Sequence, residues 1–212
     1  MLFRSGEKSL NALVEVIKGR KTIVIANFET MEISTELDSL TEPVPSAAYA
    51  PLSGLFAGSR EAQELQRQWV EKGYPLEVKL KGTDIRFRLI PPGSFDMGSA
   101  EDAIDACLSE TPVHRVTIGK PFYMAVTEVT QDQWQKVMDD APSHFKGKDL
   151  PVEQVSWFDC MEFLDRLRSS SGATGLRLPT EAEWEYACRA GTTDSRYGMP
   201  DAIAWQDRKS VV

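Results

Sequence analysis

Three cysteines in 212 residues, Cys107, Cys160 and Cys188, share no C-x-x-C spacing and are odd in number. They provide neither a disulfide framework nor a four-ligand zinc site, and the default setting for such a chain is reducing and cytoplasmic. Histidine is scarcer still: with only two, His114 and His144, no histidine-built metal cluster can be assembled. No apolar run approaches the length of a bilayer span. The first residues, MLFRSGEKSLNALVEVIKGRK, mix charge into every apolar group, unlike a secretory leader. Positive charge is also in deficit. A net charge of −8 argues against nucleic acid and against an anionic membrane surface, because both need a concentrated positive field. Glycine-rich phosphate loops, the G-x-S-x-G elbow and H-E-x-x-H are missing too. Proteins, peptides and small molecules remain as partners.

What the chain does contain is well-punctuated helices. In LRLPTEAEWEYACRAGT (176–192), Thr180 and Glu183 form a T-x-x-E capping box, in which each side chain takes up an orphaned backbone N–H. Trp184, Ala187 and Cys188 then give one apolar stripe, and Gly191 supplies a left-handed stop. Thr130 with Gln133, and Ser156 with Asp159, open two more helices. The first carries Trp134, Val137 and Met138 inward; the second carries Trp157, Cys160, Met161, Leu164 and Leu167 until Ser169 to Gly172 end it. An earlier helix starts at Ser59, with Ala62, Leu65 and Trp69 on one face, and Gly73 and Pro75 stop it. Trp69 is expected to anchor that helix to the domain that follows.

Strand patterns lie between these helices. LEVKL (76–80) and IRFRLI (85–90) alternate apolar and charged residues. Pro91 to Ser94 predicts a type II turn into SFDMG, and 113–118 and 122–126 read as the next two strands. His114 falls in the first of these and reads as structural. Residues 1–57 are unassigned, with helical spacing over 9–18, a β-branched strand pattern at TIVIANF (22–28) and a Pro/Gly-rich linker from Glu42 to Gly58. The acidic stretch 99–110 carries Glu101, Asp102, Asp105 and Glu110 without the D-x-D-x-D-G spacing that wraps calcium, and reads as a solvated loop. The segment PSHFKGKDLPVEQV (142–155) is a loop of the kind that meets a substrate; its plainer reading has Phe145 plugging it onto the core.

RLPTEAEWEYACRAGT closely resembles the signature of the sulfatase-modifying-factor family, whose best-known members are formylglycine-generating enzymes. LIPPGSFDMGS (89–99), ETPVHRVTIGKPFYMAVTEVTQDQW (110–134), PSHFKG (142–147) and LPVEQVSWFDCMEFLDRL (150–167) resemble further blocks of that family in the same order. The resemblance implies an α+β, C-type-lectin-like domain, irregular, with short strands and a few capped helices. The chain thus divides into the unassigned residues 1–57, a leading helix over 58–75 read from its spacing, and, by the resemblance, the front portion of a family domain over 76–212. The resemblance also implies chemistry in which a sulfatase cysteine is oxidised to formylglycine with oxygen and a copper(I) ion held by two thiolates, calcium supporting the structure, on a protein or peptide substrate.

The resemblance is expected to stop within the family's first half, before the G-N-x-W-E-W and R-G-G-S-W blocks and the late catalytic cysteines. Ile203 stands where the family often has a calcium-binding asparagine. Accordingly no catalytic, cofactor-binding or metal-binding residue is assigned, and no cofactor is assigned to this chain. Two readings stay open: a relative of the oxidases that is inactive as this chain, and a non-catalytic protein-interaction module. A lectin-like domain lacking its later strands should leave the apolar faces of Trp134, Trp157 and Trp184 less covered than their patterning demands, and so self-associate or bind an apolar dye. A sharply monomeric, cooperatively melting protein that binds no dye would overturn that expectation.

Overall fold

Alternation along two neighbouring strands sets the architecture. In β3 (Glu77–Leu80) and β4 (Arg86–Ile90), Val78, Leu80, Phe87 and Leu89 are buried in the main core. Successive side chains of a strand point to opposite faces, so Glu77, Lys79, Arg86 and Arg88 fall on the other side. There Glu77 sits directly across from Arg88 in the register, and the two form an ion pair of 3.1 Å. The structure is a computed structural model that describes residues 26–29, 41–43, 58–100 and 110–193. The predicted helix over 9–18, most of the linker, the acidic residues 101–109 with Cys107, and Ile203 lie outside the described residues.

The sheet is antiparallel and five-stranded, in the order β1-β7-β4-β3-β2, where β1 is Ala26–Glu29, β2 is Thr41–Pro43 and β7 is Phe122–Ala125. Two short segments of the unassigned region 1–57 therefore form its outer strands. Along β7, Tyr123 joins the main core, while its neighbours Phe122 and Met124 form a second cluster with Ile90, Ile118, Tyr186 and Ala187. A separate hairpin pairs β5 (Gly93–Met97) with β6 (His114–Ile118) in full register. The turn expected before it is different from its prediction. Gly93 begins β5 without a positive φ, and glycine is needed because a Cβ would collide with the Tyr186 hydroxyl.

Four helices lie among the described residues: α1 (Arg60–Glu71), α2 (Gln131–Met138), α3 (Trp157–Ser171) and α4 (Glu181–Arg189). The last three begin with reciprocal capping boxes at Thr130/Gln133, Ser156/Asp159 and Thr180/Glu183, as their spacing predicts. Each stops on a left-handed residue, Asp139, Gly172 and Ala190 respectively. The main core is sealed where α2 meets α3, with Trp134 stacked on Phe163 at 5.1 Å and an interplanar angle of 2°. Trp134 is only 1% exposed, contrary to the expectation of an uncovered face; Trp157 and Trp184 are half-buried.

Helix α1 is tied to both ends of the domain. Trp69 packs edge-on to Tyr74 at 4.8 Å and touches the main core, and the Gln66 amide donates to the Leu89 carbonyl at 2.6 Å. At its start the Ser59 amide donates to the Ala190 carbonyl at the end of α4, at 2.8 Å. The start of one helix thus meets the end of another, where orphaned donors and acceptors complement each other. The approach is close enough that a Cβ on Gly191, whose φ is +81°, would strike the Ser59 hydroxyl, which caps α1 by accepting from Ala62. Gly191→Ala should therefore lose both the unstrained backbone and the cap, a cost of about 1–3 kcal/mol. Urea unfolding should show this as a lower midpoint at unchanged slope; an unchanged midpoint would mean that the junction contributes nothing.

Candidate functional site

Cysteine is the residue type on which the implied chemistry turns. Cys160 lies on the inner face of α3 at 1% exposure, and its thiol donates to the Ser156 carbonyl at 3.0 Å. Cys188 lies on α4, not on a buried stripe as the sequence pattern predicts but on a half-buried flank. Burial, with smaller contributions from the carboxylates of Glu185 and Glu128, pushes its thiol up to about 12. A thiol acts as a nucleophile or a metal ligand through its thiolate; near neutral pH Cys188 does not supply one, and the Cys160 thiol is engaged with a backbone carbonyl.

The buried positions of α4 are taken by charge. Glu185 and Arg189, spaced i to i+4, are 2% and 8% exposed. Arg189 donates from Nε and Nη2 to Glu185 Oε1 at 2.9 and 2.7 Å. Both also bind the backbone of Gly98 at the end of the hairpin: the Gly98 amide donates to Glu185 Oε1 at 2.9 Å, and Arg189 Nη2 donates to the Gly98 carbonyl at 3.0 Å. Next along the chain, Ser99 holds Glu110 through backbone and side chain at 3.0 and 2.7 Å. Sequence spacing made Trp184, Ala187 and Cys188 the inner stripe. The i,i+4 Glu–Arg pair inside an apolar pattern was the available signal for the true one. At the helix start, burial pushes Glu183 up, but its bonds to Arg177 and to the Thr180 amide outweigh this and hold the carboxyl below its usual value.

The 142–155 loop is different again. Phe145 is 43% exposed and does not plug the core. Its backbone is held from both sides. The Phe145 amide donates to Glu153 Oε1 at 2.8 Å, and its carbonyl accepts from the Gln131 amide group at 2.7 Å. Gln131 also donates to the Pro151 carbonyl and accepts from the Gly147 amide, each at 3.2 Å. Ser143, at 2% exposure, exchanges hydrogen bonds with the backbone of Glu153, itself at 6%. His144 lies edge-on to Phe145 at 4.8 Å. Phe158, on the first turn of α3, is 76% exposed and meets Trp157 edge-on.

Other features are modest. His114 is exposed at the head of β6, its Nδ1 3.0 Å from the Pro112 carbonyl. A cavity of about 120 Å³ opens among Asp84, Arg86, Thr127 and Gln133, room for waters but far below a ligand pocket of ~300 Å³ or more. No group of three or more His, Cys, Asp or Glu among the described residues is placed to hold a metal ion, and none of their helices is long and apolar enough to cross a membrane. With the thiol of Cys188 at about 12, only roughly one molecule in ten thousand carries the thiolate at pH 8. Native protein treated with iodoacetamide at that pH should leave Cys188 unmodified, as read by peptide mass. Alkylation should rise only as pH approaches 12 or when the chain is unfolded, and rapid labelling of the native protein at pH 8 would contradict the buried environment.

Comparison with known proteins matches residues 82–211 to the sulfatase-modifying factor enzyme 1-like domain. The formylglycine-generating enzyme of Streptomyces coelicolor is 43% identical over 165 residues, 54% of this chain and 50% of that protein. A protein of Paenibacillus barcinonensis described as chaperone protein LppX is 35% identical over 121 residues, 40% of this chain and 43% of that one. The inactive C-alpha-formylglycine-generating enzyme 2 of Bos taurus is 27% identical, with 63% of this chain and 56% of that protein covered. Among solved structures, PvdO from Pseudomonas aeruginosa matches at 27% identity and a TM-score of 0.46, over 50% of this chain and 48% of that one. The chain spans about half or less of the length of these curated relatives. With that match extending over more than half of its length and with its short antiparallel strands and capped helices, this α+β chain belongs to the sulfatase-modifying-factor family.

Proposed function

We propose that this chain serves the family's business with protein or peptide partners without itself oxidising cysteine. The supporting observation is the state of its two described thiols. A copper(I) ion is taken by soft thiolates converging on one point. The Cys160 thiol is buried and donates its hydrogen to a carbonyl, and burial keeps the Cys188 thiol protonated. Neither fits the ion, so no oxidative step is assigned to them. Inactivity is compatible with membership, since one matched relative is itself named as inactive.

A second reading, the non-catalytic interaction module, draws support from the exposed aromatics. Phe145 and Phe158 expose large apolar rings, and buried polar groups fix the backbone of the first.

The test is to load the reduced full chain with copper(I), add oxygen and a peptide carrying a sulfatase-type cysteine, and look for aldehyde by mass. No aldehyde is expected. Turnover would overturn the proposal, and turnover abolished by Cys160→Ser or Cys188→Ser would make those residues the site.

A further inference from the structure

We draw no further inference here: the strongest candidate, the exposed aromatic patch of His144 and Phe145 on the 142–155 loop, is flanked by charge of both signs, Lys146 and Lys148 with Asp149 and the preceding Asp139 and Asp140, and nothing in the structure shows what covers it.

Discussion

Both backbone groups of Gly98 are held by helix α4, and much of the arrangement around the hairpin depends on that crossing. The amide donates to Glu185 and the carbonyl accepts from Arg189, joining residues far apart in sequence through an ion pair that is almost wholly buried. Withdrawing two charges from water is costly, and their mutual attraction offsets that cost only when their hydrogen-bonding capacity is also met. Here the backbone supplies the remaining partners. A pair of matching apolar residues would leave the Gly98 amide and carbonyl unsatisfied, a further penalty of about 1–3 kcal/mol for each buried group. The pair therefore specifies where the hairpin lies on α4, and α4 in turn ends against the first residues of α1.

The same use of polar groups recurs at the 143–153 loop. Glu153 and Ser143 are buried without belonging to any helix or named strand. Together with Gln131 they take up the amides and carbonyls that a loop running beside a core would otherwise leave unpaired. Most of these bonds end on backbone, so the loop's shape is fixed independently of the side chains it displays. That separation lets His144, Phe145, Lys146 and Lys148 face solvent without destabilising the fold.

Local signals were the legible part of the sequence. The three capping boxes, the alternation in β3 and β4 and the strand starts are set by neighbouring residues, and the structure places them within a residue or two of the pattern. Tertiary signals were not legible. The type II turn at Pro92–Gly93 failed because Gly93 is selected by Tyr186, a residue remote in sequence that occupies the space of a side chain. The inner stripe of α4 was misread because hydrophobic spacing gives no weight to a Glu–Arg pair, and only the distant Gly98 makes burying that pair tolerable. Hydrophobicity alone points Phe145 towards the core, the plainer of the two readings of its loop, whereas its backbone partners, Gln131 and Glu153, decide where it sits. For the candidate site, the sequence drew attention to the loop without showing which way it faced. Cys188, whose spacing predicts a buried stripe, lies on a half-buried flank, and its thiol is raised all the same.

The unit that packs is also larger than the span matched to the family domain. The family match begins at residue 82, inside the β3–β4 turn, so β1, β2, β3 and α1 all precede it. Without them β4 and β7 would be left as a two-stranded ribbon with both edges open, and an isolated pair of strands is marginal in water. The preceding residues close that gap from both sides, β3 against β4 and β1 against β7. Helix α1 then reaches the sheet through Gln66 and the end of α4 through Ser59. Strand edges can be satisfied by any extended segment of suitable pattern, and here residues ahead of the matched span supply them.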